Sequence, residues 1–250
     1  MLNKIKEFYV KYSPQFTERI NKNNTNYLFC RFVSDIYSNI AIINNLSDLE
    51  IIDKEFKKRN LETTYYSFEK PENNYNILYT DDYLYLDNIK TLHNKYKRFK
   101  SKDIYLIKVD TKDLQNKYME INDNCYSSNS YDNPYSNLDN FGYCKSVLSY
   151  QENEKESKTL IYIINYKNKD VGCVNLTIKD NFCYISGLAL LEEFRKTKVF
   201  LSMINILEIL LKENVDTIFC ITELNEYPDK LYKKLGFKSV GIAYAFNKQN

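Results

Sequence analysis

The 250-residue chain has no tryptophan, one histidine (His93), four prolines and five glycines, the first of which is Gly142. The shortage of glycine excludes most. Dinucleotide-binding fingerprints and P-loops need closely spaced glycines, whose missing Cβ lets backbone amides approach phosphate. Neither pattern can be written with these five residues. Six cysteines (Cys30, Cys125, Cys144, Cys173, Cys183 and Cys220) form no Cys-x-x-Cys pair, so with a single histidine no zinc spacing exists. Cys30, Cys173, Cys183 and Cys220 stand in apolar, strand-like runs where cysteine acts as a small hydrophobe, and structural disulfides are not expected. Charge of one sign is also lacking. With 35 basic and 33 acidic residues the net charge is +2, which argues against nucleic acid as a partner. Long apolar runs are missing too. Lys4, Lys6, Glu7 and Lys11 interrupt the N-terminus, so no signal-peptide core is present. The most apolar stretch, residues 199–211, is too short for a bilayer and contains Asn205 and Glu208. The expectation is a cytoplasmic protein with no membrane partner.

What remains is an ordinary globular composition, 44% hydrophobic and 27% charged, with 24 tyrosines. Residues 1–22 read as one or two helices with Leu2, Ile5, Phe8, Tyr9 and Tyr12 on one face. Residues 27–33, 38–44 and 63–68 read as strands. Ser47 is placed to cap a helix running to about Arg59. Residues 77–86 are tyrosine-rich and of undecided type. A basic segment over 90–102, read as a solvated helix or linker, sets a boundary between an N-terminal α/β region (1–98) and a second domain (99–250).

The second domain has a clear order. A strand over 103–109 precedes helices over 111–124 and 141–151, separated by a polar stretch, 125–140, that reads as a loop or lid. Three strands follow, 159–166, 170–178 and 182–191, joined by hairpin-like turns. A helix over 199–212 carries its polar residues Ser202, Asn205, Glu208 and Lys212 at helical spacing and so buries a wide apolar face. A strand over 216–222, a helix opened by Pro228 and closed by Gly236, and a final strand segment over 238–246 complete a mixed α/β domain that is neither a Rossmann fold nor a (β/α)8 barrel.

Two segments carry a resemblance. Leu188-Ala189-Leu190-Leu191-Glu192-Glu193-Phe194-Arg195 leads from a strand into the buried helix. Downstream, Asn225 precedes Leu231-Tyr232-Lys233-Lys234-Leu235-Gly236-Phe237, with seven residues from Asn to Tyr. Together with the element order these resemble the GNAT superfamily of acyl-CoA N-acyltransferases over about 145 residues. No comparable motif stands before residue 100, and a degenerate tandem copy of the fold there is left open. The resemblance implies a mixed, mostly antiparallel sheet flanked by helices. It further implies acetyl-CoA as cosubstrate and a primary amine of a small molecule or peptide as acceptor. The pantetheine arm would pair with strand backbone at Leu188, Ala189 and Leu190. The pyrophosphate would sit at the next helix start, on Arg195, Lys196, Thr197, Lys198, Val199, Phe200 and Leu201, where free amides and the helix dipole favour anions. Tyr232 stands at the family's general-acid position, and Asn225 would bond cofactor or backbone. The family's strand glutamate is replaced by Cys220. Glu223 is therefore the candidate base, with Glu192 and Glu193 as alternatives. Lys198 and Phe200 replace the loop glycines of the family. This departure keeps open a binding or assembly domain that does not take CoA. A third reading, a two-domain transferase using aminoacyl-tRNA, would need a basic groove. A homodimer is also left open.

Overall fold

The computed structural model describes residues 1–44, 49–126 and 139–249. Ser47 and the middle of the polar stretch over 125–140 lie outside the described residues. By packing, the chain forms two units. One is continuous, 86–219; the other is composite, 1–85 together with 220–250. This division runs differently from one drawn along the chain at residue 98, for a reason given by the last strand below.

The composite unit opens with helix α1 (Leu2–Tyr12), whose Ile5, Phe8 and Tyr9 are buried at helical spacing. The helix stops at Ser13, which is extended (ψ 121°) because the following Pro14 disfavours helical backbone before it. Residues 18–22, expected as helix, are therefore free to form β1 (Glu18–Lys22). A tight turn with positive φ at Asn23 and Asn24 folds β1 onto β2 (Thr25–Phe29), as a two-residue hairpin requires. β3 (Ile40–Ile42), helix α2 (Leu49–Lys57), β4 (Tyr65–Ser67) and the long β5 (Tyr75–Leu86) follow. β1, β2 and β3 are antiparallel neighbours, and β4 runs parallel to β3. α2 lays Leu49, Ile52 and Phe56 on a core of Tyr27, Phe29, Ala41, Ile43, Tyr65 and Phe246.

The continuous unit begins with α3 (Ile89–Tyr96), capped by the Asn88 side chain. The basic segment is thus partly a packed helix, with Ile89 and Leu92 buried. β6 (Ile104–Lys108), α4 (Lys112–Tyr126) and α5 (Asn140–Asn153) precede three long strands, β7 (Lys158–Tyr166), β8 (Lys169–Lys179) and β9 (Phe182–Leu190). β6 to β9 are antiparallel in sequence order. Helix α6 (Ser202–Lys212) buries Met203, Ile204, Ile206, Leu207 and Leu210, the wide apolar face its sequence implies. β10 (Thr217–Glu223) then runs parallel to β9.

β10 begins in the continuous unit and ends in the composite one. There the main chain of Leu224 donates to Thr80 of β5 at 2.8 Å. Helix α7 (Tyr227–Leu235) starts with Pro228 in its first turn and ends at Gly236 with φ 104°, a left-handed C-terminal cap. The final strand, β11 (Lys238–Lys248), is antiparallel to both β4 and β5. That insertion among N-terminal strands joins residues 220–250 to the composite unit, and no boundary along the chain can express it.

A repeat is now visible. Antiparallel β1, β2 and β3, then α2, then parallel β4 trace the same path as β7, β8 and β9, then α6, then β10. All six cysteines are buried and none is in a disulfide.

Candidate active site

In the continuous unit, β9 changes character halfway along. Its ladder with β10 consists of Thr217↔Phe182, Ile218↔Cys183 and Phe219↔Tyr184. Beyond Tyr184 the strand pairs with β8 on one side, and its other edge carries no ladder among the described residues. The β8 pairing is interrupted as well. Its register steps from Asn175↔Ser186 to Cys173↔Ala189, so Gly187 and Leu188 face the single residue Val174. Such a bulge turns backbone groups out of the ladder. Gly187 has φ +62°, and a Cβ there would lie 2.6 Å from the Asn175 side-chain amide, so a side chain at this position would be strained. Leu188, Ala189 and Leu190 follow directly. Strand alternation separates them: Leu188 and Leu190 pack with Val199, Phe194 and Leu201, while Ala189 joins the core on the other face.

The segment after β9 winds as two short 3-10 turns before α6. Arg195 is half-buried and fixes this path. Its Nε donates to the Leu190 carbonyl at 3.1 Å, and its Nη2 donates to the carbonyl of Cys125 at the end of α4. The guanidinium is thus spent at least in part on holding the strand end. Thr197 caps the helix start. Its hydroxyl donates to Phe194 O at 2.8 Å and accepts from the Val199 amide at 3.3 Å. Lys196, Thr197 and Lys198 are exposed, and Val199 is buried. No residue from 192 to 202 has a positive φ. The backbone here therefore does not demand glycine, and lysine and phenylalanine are accommodated without strain. Phe200 is 39% exposed, so its ring does not plug the core. The result is a basic entry to α6 in which the Thr197 hydroxyl takes the Val199 amide and a 3-10 turn leads into the helix. Glu192 and Glu193 are exposed beside it.

In the composite unit, the predicted residues Glu223, Asn225 and Tyr232 lie on one continuous segment. Glu223 ends β10 and is half-buried. Asn225 adopts φ 67°, a conformation asparagine tolerates better than most residues. Its amide donates to Asp229 Oδ2 at 2.9 Å. Asp229 is 1% exposed and also accepts from Lys233 Nζ, which reaches Asp82 of β5 at 2.7 Å. Lys233, itself exposed, thus bridges the buried carboxylates of Asp82 and Asp229 and fixes the turn that follows β10. The two carboxylates push the Lys233 ammonium upward, its bond to Asp82 being the main cause. Tyr232 is 7% exposed and meets Phe237 edge-on, with ring centroids 4.9 Å apart. The Gly236 cap supports this contact, since the Phe237 amide bonds back to Tyr232 O at 3.1 Å.

Sequence reasoning missed one group. Asp81 of β5 accepts a hydrogen bond from the buried Tyr66 hydroxyl at 2.7 Å. Burial, with the charge of Glu223 adding to it, pushes this carboxyl up to about 7, against the pull of the Tyr66 bond. Tyr37 responds to the same charges. Burial, then Glu223, Asp81 and Asp35, push its phenol up to about 12. Tyr37 stacks on Tyr79 at 4.4 Å. The local sequence Thr-Asp-Asp-Tyr resembles a polar turn, and nothing in it announces a buried acid.

A sheet of this order, with a bulged strand running into a capped basic helix start, defines the GNAT acyltransferase architecture. Residues 116–237 match the model of the acetyltransferase (GNAT) family, and this part of the chain is a GNAT-family domain. Among solved structures, the chain is similar to a functionally unknown conserved protein from Staphylococcus epidermidis ATCC 12228. That match has TM-score 0.68 and 14% identity, and covers 98% of this chain and 97% of that one. It is also similar to a GCN5-related N-acetyltransferase from Kribbella flavida, with TM-score 0.67 and 12% identity, covering 99% and 95%. A tandem GNAT protein from the clavulanic acid biosynthesis pathway matches with TM-score 0.54 and 10% identity, covering 83% and 74%. At these identities the likeness is one of fold, and it extends to the N-terminal repeat. Among curated proteins no sequence match is found. Among the described residues, no helix is long and apolar enough to cross a membrane, and no group of three or more His, Cys, Asp or Glu side chains could hold a metal ion.

Proposed function

We propose that the protein transfers an acetyl group from acetyl-CoA to a primary amine of a small molecule or peptide. One observation carries this reading. β9 leaves its ladder with β10 after Tyr184, bulges at Gly187 and runs into the basic, Thr197-capped 3-10 turn that leads into α6. Strand backbone outside a ladder suits the amides of pantetheine, because unpaired N–H and C=O groups seek partners. A capped helix start with Lys196 and Lys198 suits a pyrophosphate. The roles follow. Leu188, Ala189 and Leu190 bind the pantetheine arm. Lys196, Thr197, Lys198, Val199, Phe200 and Leu201 bind the phosphates by backbone and charge. Arg195 positions that segment. Asn225 holds the turn before α7.

Acetyl transfer requires the amine to lose a proton before attack and the thiolate to gain one on leaving. Tyr232, a phenol on a rigid capped helix, delivers the proton to the departing thiolate. Glu223 lies nine residues earlier on the same segment and contributes negative charge favouring a cationic acceptor. Isothermal calorimetry with acetyl-CoA tests the reading. Saturable heat supports it; no heat and no thermal shift at millimolar ligand would remove it.

A further inference from the structure

One helix covers a sheet face in the first repeat where the second repeat uses two. In the continuous unit α4 and α5 both pack on Ile161, Ile163, Cys173 and Ala189. In the composite unit α2 takes the face of Ala41 and Ile43, and strand alternation sends Ile42 to the opposite one. There, among the described residues, α1 lies alone. Its Tyr9 meets Tyr83 edge-on with ring centroids 6.0 Å apart, and its Lys6 stands over Phe68. A cavity of about 270 Å3 remains beside α1, with Tyr9, Ile42, Phe68 and Tyr83 as its apolar wall. Small-molecule sites span roughly 300–1,000 Å3, so this one suits a ligand of a single ring.

The charges around the cavity do not balance. Three charged side chains line it, Lys6, Glu7 and Lys11. Glu7 and Lys11 are exposed and pair with one another at 2.8 Å. Lys6 is half-buried, and among the described residues no carboxylate pairs with it. Its ammonium lies 3.6 Å from the centre of the Phe68 ring. A ring face satisfies one side of a group that has three N–H donors. Burial also pulls Lys6 below the ordinary lysine value, as it does for a cation short of compensation. Asn26 lines the same cavity. Its Oδ1 accepts from Asn21 Nδ2 at 2.7 Å, so the half of its amide left over is a donor.

We propose that this cavity binds a small aromatic monocarboxylate, its ring against Tyr9, Phe68 and Tyr83 and its carboxylate on the Lys6 ammonium and the Asn26 amide. A carboxylate gives Lys6 a charge-assisted hydrogen bond, and aromatic walls favour a ring through edge and face contacts. A cation would meet Lys6, and a polyhydroxylated ligand would strand its hydroxyls on the apolar wall. The site uses residues of the composite unit alone, and it does not depend on acyl transfer.

The test titrates sodium benzoate into the full chain by calorimetry at constant ionic strength, with benzamide as the uncharged analogue and acetate as the one without a ring. Wild type should bind one benzoate, saturating at millimolar concentration, with benzamide and acetate each weaker by about tenfold or more. Lys6→Met keeps the length of the side chain and removes the charge; it should weaken benzoate by about tenfold or more. Lys6→Arg should stay within about threefold of wild type. Val10→Phe, which adds bulk to a lining residue of α1, should abolish binding while the far-ultraviolet circular dichroism stays that of wild type. An absence of saturable benzoate heat in wild type overturns the proposal, as does benzoate affinity unchanged in Lys6→Met. Benzamide or acetate binding as tightly as benzoate overturns it too.

Discussion

The two repeats follow one path with different equipment. In the first, strands of three to five residues (β1 to β4) lead into α2, whose first turn carries Glu50. In the second, strands of nine and eleven residues (β7 to β9) lead into α6 behind Lys196, Thr197 and Lys198. An acidic first turn complements its own helix dipole and repels an anionic ligand; a basic approach does the reverse. β9 carries a bulge at Gly187, while the short β3 keeps a regular register with β2. α7 with Tyr232 follows β10, whereas β4 passes to β5 with no helix among the described residues. The same topology therefore ends in a bulged strand and a basic turn before the helix in one copy, and in short regular strands before an acidic first turn in the other.

This contrast can be broken or sharpened experimentally. The largest effect belongs to Tyr232, which has no counterpart in the first repeat. Tyr232→Phe should lower kcat by about 100-fold or more with acetyl-CoA affinity changed less than about twofold; steady-state kinetics beside calorimetry would separate the two. Matched core truncations probe the shared scaffold. Ile206→Ala in α6 and Ile52→Ala in α2, both fully buried, should each cost about 2–5 kcal/mol in denaturant unfolding. A negligible loss at Ile52 would mean that the first repeat is not a packed copy.

Asp81 predicts a pH dependence. Its ordinary value of 3.8 is raised to about 7 in the folded protein, so the folded state holds this proton more tightly. Wild-type stability contributed by this group is full below about pH 4 and is lost as pH rises through about 7. Asp81→Asn should match wild type near pH 4 and exceed it above pH 8. The excess should be at most roughly 4 kcal/mol, and less where water reaches the half-buried carboxyl. Thermal melts across that range check the sign. The smallest effect is expected at Phe200. Because its ring is 39% exposed and its backbone lies outside the left-handed region, Phe200→Ala should shift stability by less than about 1 kcal/mol.

Much of the second repeat was legible in the sequence because its elements are long. Three strands with turn residues between them, a helix with wide apolar spacing, and Pro228 and Gly236 bracketing α7 state their structure locally. The first repeat was obscured by brevity. Three-residue strands such as β3 and β4 carry almost no period, and β1 looked helical until Pro14 is weighed. β11 read correctly as a strand, but its neighbours, β4 and β5, lie more than 150 residues earlier, and pairing at that range has no local signature. Tyr232 and Asn225 stand out as candidates through their spacing. The buried surroundings of Asp81 do not, because Tyr66, Tyr37 and Glu223, which define them, are distant in sequence.

The central claim is that the start of α6 holds the pyrophosphate of acetyl-CoA, and the direct measurement is calorimetric titration of acetyl-CoA into wild type, Lys196→Glu/Lys198→Glu and Glu50→Lys. The account predicts binding of about one ligand per chain in wild type, weakening by about tenfold or more in the double charge reversal at α6, and no change in Glu50→Lys at α2. Binding that survives the reversal at α6, or that responds instead to the change at α2, would contradict it.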